Sequence, residues 1–220
     1  SMGTAINAVK TAVASIVNTI ITESGGDYRL GLVLFDEYEA NGNITYETNP
    51  LYLNLPASQR IITNPSSNPN TGYGVIQVLT AYEMMSSNNE SSFGDQLGEL
   101  NDSLPLGRGA GFVTTGEPGD LALEEVINSD FAGVFRSDVA KLIILFTDDE
   151  PGGYDGLVNN PAIVTRLESL RDTCINENIQ LITLSSLSIL PNTSYRIISD
   201  NANGIYDSSL APSVAIQAIQ

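Results

Sequence analysis

Apolar positions in this chain follow two rhythms. Ile6, Val9, Val13, Ile16, Val17 and Ile20 recur at three- and four-residue spacing, which predicts an amphipathic helix over Gly3–Glu23. Ser24-Gly25-Gly26-Asp27 ends it. Tyr28 to Phe35 then runs apolar on both faces, as a buried strand does, and stops at Asp36-Glu37. The pair of rhythms returns later. Lys141 to Phe146 reads as a strand buried on both faces, Ile163, Val164, Leu167, Leu170, Cys174 and Ile175 as a helix stripe, and Ile179 to Leu184 as another strand. Ser194 to Ser199 predicts a short helix, Gly204 to Tyr206 a short strand, and Ala211 to Ile219 a last helix. Helices alternating with doubly buried strands imply parallel βαβ units.

The middle of the chain is less regular. Ile44 to Tyr46 and Leu51 to Leu55, separated by Glu47-Thr48-Asn49-Pro50, suggest an antiparallel edge hairpin. Thr63 to Gly72 reads as a polar loop, Gly74 to Met85 as a short helix carried by Val75, Val78, Leu79 and Tyr82, and Ser86 to Ser92 as a second polar loop. Residues 56–90 are therefore expected to be an insertion on the same domain, too short and polar to hold a core of their own. Phe93, Leu97 and Leu100 mark a short helix that a glycine-rich stretch, Leu106 to Gly111, follows. That stretch lacks the Gly-Lys-Ser/Thr of a phosphate-cradling loop and the spaced glycines of a dinucleotide site. Thr114-Thr115-Gly116-Glu117-Pro118-Gly119 leads into a helix over Asp120 to Asn128, with Asp120 placed to favour the helix dipole. The whole predicts one α/β domain over residues 1–220: a doubly wound, mostly parallel central sheet with helices on both faces and one antiparallel edge strand. Such a fold normally opens with a strand, and this chain opens with a helix. The first central strand is expected to be missing from these 220 residues and supplied by an upstream segment or another chain.

Charge narrows the function. The net charge of −17, with only 9 basic residues, argues against nucleic acid and against anionic membrane surfaces. No apolar run approaches the roughly 18 residues of a membrane span. With no histidine, Ser-His-Asp and Cys-His catalysis and histidine metal sites are all excluded. Cys174 is the one cysteine and sits in a helical apolar stripe, which fits a core thiol rather than a nucleophile. Any metal must then be held by oxygen, as Mg, Ca or Mn is. Oxygen is concentrated where the central strand stops, at Thr147-Asp148-Asp149-Glu150, before Pro151-Gly152-Gly153. In open α/β sheets ligands bind at that carboxyl edge. The bland alternative is that these acids only cap the loop that follows.

These segments, in this order, resemble a von Willebrand factor type A domain over most of the chain apart from residues 56–90. Lys141 to Gly153 is similar to that family's apolar strand ending in Thr-Asp-Gly, and Tyr28 to Asp36 to its second strand. Leu106 to Asn128 is similar to its threonine loop and helix, and Asn176 to Ser185 to its following strand. The resemblance implies a metal-ion-dependent adhesion site. An Asp-x-Ser-x-Ser loop, a threonine from a second loop and an aspartate from a third hold the ion there, and an acidic ligand completes the coordination. Carried over residue by residue, Asp148 is the third-loop aspartate and Thr114 or Thr115 the second-loop threonine. Ser1 is the last serine of the first loop, unless Ser1-Met2 is an expression scar. Asp149 stands where the family has glycine and, with Glu117, is a further possible ligand. The implied cofactor is Mg or Ca, with Mn possible.

The leading expectation is a non-enzymatic binding or adhesion module that recognises a protein or other acidic ligand through that cation. Its setting would be extracellular, on a cell surface, or in a phage virion. A structural assembly module with a degenerate metal site is the alternative. A lesser alternative is Mg-dependent phosphoryl transfer through Asp148 and Asp149, for which the adjacent pair lacks the Asp-x-Asp spacing and a following lysine. Asn43, Asn89, Asn101 and Asn192 begin Asn-x-Ser/Thr triplets, which a chain so rich in Asn and Ser also makes by chance.

Overall fold

The computed structural model describes residues 3–39, 60–67, 74–82, 116–117, 119–128, 135–147, 149–152, 160–185, 195–200, 204–207 and 212–219. The hairpin expected at residues 44–55 and the helix at residues 93–100 lie outside them. The described elements are α1 (Gly3–Glu23), β1 (Leu32–Glu39), β2 (Arg60–Ser67), β3 (Gly74–Tyr82), β4 (Gly116–Glu117) and α2 (Gly119–Asn128). Then come β5 (Lys141–Thr147), β6 (Glu150–Pro151), α3 (Pro161–Glu177), β7 (Ile179–Ser185), α4 (Arg196–Ser199), β8 (Ile205–Asp207) and α5 (Pro212–Ile219).

The local chemistry explains the boundaries. Glycines close α1: Gly25 and Gly26 take positive φ of 63° and 91°, and the Gly26 N–H donates to the Ile21 carbonyl at 3.2 Å. Asn160 opens α3, its side-chain oxygen accepting from the Ala162 N–H at 3.0 Å, with Pro161 in the first turn. Asn178 ends α3 in the left-handed conformation, donating its N–H to the carbonyls of Cys174 and Ile175. Ion pairs join neighbouring elements at the surface, Lys141 with Glu177 at 3.2 Å and Arg136 with Asp27 at 2.7 Å.

The result is an α/β arrangement whose parallel part is small. β5, β7 and β8 form a parallel sheet in the order β5-β7-β8, with Lys141 opposite Ile179 and Thr147 opposite Ser185. Two helical layers cover it. On one face, Ile16 of α1 and Ala215 of α5 pack with Ile182 and Leu184. On the other, Leu123 of α2 and Ile163, Leu167, Leu170 and Cys174 of α3 pack with Leu145, Ile179 and Leu181. Apolar side chains sent alternately to two helical layers are why β5 reads as an unbroken apolar run from Leu142 to Phe146.

Three expectations are corrected. The stretch read as a helix from Gly74 is the strand β3, paired antiparallel with both β1 and β2. Its Val75, Ile76, Val78 and Thr80 are β-branched, and two flanking strands outweigh the helical spacing that four apolar residues happen to have. The polar loop expected from Thr63 is partly strand, because β2 runs through Ser67. Pro65 is tolerated there because β2 is the edge of the order β1-β3-β2. Asp36 and Glu37 do not sit at a strand end. They lie within β1, opposite Val78 and Gln77, and β1 pairs antiparallel with β3 rather than joining the parallel ladder.

Two tests follow from this core. Leu167 is fully buried, so Leu167→Ala should cost about 2–5 kcal/mol in urea denaturation. Burial pushes the Cys174 thiol up to about 11. At pH about 8 it should resist a disulfide reagent in the native protein and react fully in concentrated guanidinium.

Candidate functional site at the carboxyl edge of the parallel sheet

β5 ends at Thr147, whose neighbour across the ladder is Ser185, and both are buried. Two hydroxyls therefore lie side by side where the parallel strands finish. The Thr147 hydroxyl accepts from the Asp149 N–H at 3.2 Å and donates to the Asp149 carbonyl at 2.9 Å. The Asp149 carboxylate accepts the Glu150 N–H at 2.8 Å. The chain thus turns out of β5 on hydrogen bonds made by its own side chains. This gives Asp149 a local structural task that a glycine could not perform.

The turn delivers Glu150 and Pro151 to β6, which pairs parallel with β4: Gly116 lies opposite Glu150 and Glu117 opposite Pro151. The backbone that follows Thr115 is thereby fastened to the backbone that follows Asp149. The two strands approach closely. A Cβ on Gly116 would stand 2.7 Å from the Gly152 Cα and 2.9 Å from the Glu150 carbonyl oxygen, too near for any side chain.

Behind this edge lies a charged cluster that the sequence pattern did not reveal. Asp120, expected only to favour the helix dipole, is fully buried. Its carboxylate accepts from Arg166 Nη1 at 2.6 Å, while Arg166 Nε donates to Glu124 at 2.8 Å. One guanidinium on α3 therefore grips two acids one helical turn apart on α2. The i,i+4 spacing of the acids and an arginine inside an apolar stripe were the available signals. A second buried polar contact, 2.7 Å between the hydroxyls of Thr183 and Ser199, ties β7 to α4.

Of the residues the resemblance implicates, Asp148, Thr114, Thr115 and Ser1 lie outside the described residues. Glu117 is placed by its backbone in β4. Among the described residues, no group of three or more acidic, histidine or cysteine side chains is close enough to hold a metal ion. No described helix is long and apolar enough to cross a membrane. Compared with protein-family models, curated proteins and solved structures, the chain matches none.

Gly116→Ala should destabilise the protein by about 1–3 kcal/mol in chemical denaturation, as overpacking does. Arg166→Met should cost more, about 3–5 kcal/mol, because it leaves the Asp120 carboxylate buried without its guanidinium. The double variant Asp120→Asn/Arg166→Met should recover most of that loss. An additive double variant would show that the two side chains do not act as a pair.

Proposed function

We propose that the carboxyl edge of the parallel sheet is a recognition surface that binds an acidic ligand, a protein among them, through an oxygen-coordinated divalent cation. The observation that carries this reading is the β4–β6 pairing. It joins the segment after Thr114-Thr115 to the segment after Asp148-Asp149, the two stretches whose hydroxyls and carboxylates the sequence singles out. The donor chemistry fits Mg, which takes few direct carboxylates and keeps waters, and it also fits Ca or Mn. Asp148 and one of Thr114 or Thr115 would hold the ion, and Ser1 and Glu117 are further candidate donors. Asp149 is assigned to the turn instead. Hydroxyl ligands leave the ion a net positive charge that an acidic partner neutralises. A binding role is also consistent with a chain in which no histidine, and no cysteine outside the core, could serve as a catalytic nucleophile or base. An extracellular, cell-surface or virion setting follows from the same proposal, where divalent cations are abundant and an acidic surface is tolerated.

One observation favours a second reading, an assembly module whose metal site is degenerate. The Thr147 hydroxyl and the Asp149 carboxylate are both engaged by the turn.

Calorimetric titration of Mg, Ca and Mn into metal-stripped protein separates the two. On the recognition reading, Asp148→Ala abolishes the binding heat. Asp149→Ala lowers thermal stability but changes the metal affinity by less than about tenfold, because its carboxylate closes the turn rather than holding the ion. Equal loss of binding in both variants would make Asp149 a ligand. No binding in the parent protein would leave the assembly reading.

A further inference from the structure

Consecutive residues at the start of α2, from Gly119 to Leu123, are all buried. A helix lying on a core buries one stripe, so this first turn is enclosed from several sides. A Cβ on Gly119 would collide with the Tyr195 hydroxyl, just before α4, and stand 3.2 Å from the Phe35 ring of β1. Leu121 and Ala122 pack with Val33 and Phe35. Leu123 belongs to the cluster built on β5, β7 and α3. Asp120 meets the Arg166 guanidinium of α3.

The enclosed turn bears on the carboxyl edge through a short link. One residue of the sequence, Pro118, separates it from β4. β4 pairs with β6 through Gly116 and Glu117, and Pro151 in that pairing has no N–H to give. So brief a ladder does not fix its own register. On the other side, α3 is seated on the parallel sheet by Ile163, Leu167, Leu170 and Cys174, and β6 leaves β5 through the bonded turn. α3 and β6 therefore move with the sheet. Apolar contacts hold α2 against that body, yet they tolerate sliding, because hydrophobic attraction has no direction. The forked guanidinium does have one. Nη1 to Asp120 at 2.6 Å and Nε to Glu124 at 2.8 Å meet successive turns of α2 and fix its position along the helix axis. The Asp120 contact is shielded from water, with the two side chains 14% and 0% exposed.

We infer that Arg166 is a positioning residue for the carboxyl edge. By locking α2 to α3 it sets how the segment leading into β4, with Thr114 and Thr115, stands against the segment leading into β6, with Asp148. It thereby sets how tightly that edge holds a divalent cation. The statement about the cation rests on the reading proposed above; the statement about the two segments does not. A guanidinium has no lone pair to offer a metal, and its charge opposes a nearby cation. Acting by charge alone, its removal would tighten metal binding. Acting by position, its removal weakens it. The opposite signs separate the two roles.

The deciding protein is the double variant Asp120→Asn/Arg166→Met. It removes one acid and one base, so the local net charge matches the parent and Asp120 leaves no buried carboxylate behind. Calorimetric titration of Mg into the metal-stripped double variant, well below its unfolding temperature, should give an affinity about tenfold or more below that of the parent. The amides of Gly116, Glu117 and Gly152 should exchange about tenfold faster, measured relative to those of Leu167 and Leu170, which report global opening. Arg166→Lys keeps the charge without the fork and should fall between the parent and the double variant in both measurements. Arg171→Met removes another arginine of α3, one paired with its neighbour Asp172, and should shift neither by more than about twofold. Parental exchange in the double variant would overturn the positioning of the two segments. Parental affinity there, or tighter binding in Arg166→Met with parental exchange, would overturn the link to the cation. A parent that binds no metal would sink the cation reading by itself. The exchange rates would then decide the inference: faster at β4 and β6 in the double variant upholds it, and unchanged rates overturn it.

Discussion

Burial of β5 and β7 from both sides is the constraint to which the rest of the molecule answers. A strand pair with apolar side chains on two faces has to be covered twice, and the helices are distributed accordingly, α1 and α5 on one side and α2, α3 and α4 on the other. The deepest positions, Leu167, Cys174, Leu181, Ile182 and Leu184, are where those layers meet the strands. Hydrophobic burial supplies the cohesion but little direction. Direction comes from a few polar fixtures: the Asn160 and Asn178 caps of α3, the Arg166 grip on α2, and the Thr183–Ser199 contact. Each sits where two elements must keep a fixed register, and the buried ones act in a medium that penalises loss of a partner.

The elements legible in the sequence are those whose burial is two-sided or whose caps are local. The helix over Gly3–Glu23, the strand beginning at Lys141 and the helix closed by Asn178 announce themselves through spacing and punctuation. β3 reads as a helix because its pairing with β1 and β2 is a long-range fact, and at this length an apolar run can satisfy either period. The acids of β1 read as a strand end for the same reason: where a strand stops depends on its neighbour, not on its own residues. At the site, the sequence points to the carboxyl edge and to Thr147 onward. It could not show that Asp149 closes its own turn, or that Asp120 is buried against Arg166, since both depend on which way the chain bends after the strand.

The carboxyl edge joins two kinds of order. Close backbone approach at Gly116 and the self-bonded turn after Thr147 make a rigid frame from short segments. On the proposed cation reading, such a frame would hold donors from the two segments at fixed separations, which an ion as demanding of geometry as Mg requires. The charged cluster behind the frame holds α2, whose first residues follow β4 directly, so the arginine on α3 supports the edge from a distance.

The ion pairs have an effect on the space around the molecule. Arg136, Lys141, Arg166, Arg171 and Arg196 are each matched with a carboxylate, and they make up more than half of the 9 basic residues in the chain. Most of the positive charge is thus neutralised at close range, and beyond a few ångströms the protein projects an almost purely negative potential. Such a potential gathers a diffuse cloud of counterions, doubly charged ones most strongly, and thins out dissolved anions. The solution next to this protein therefore differs from the bulk: richer in divalent cations, and less welcoming to an acidic partner until those cations have gathered.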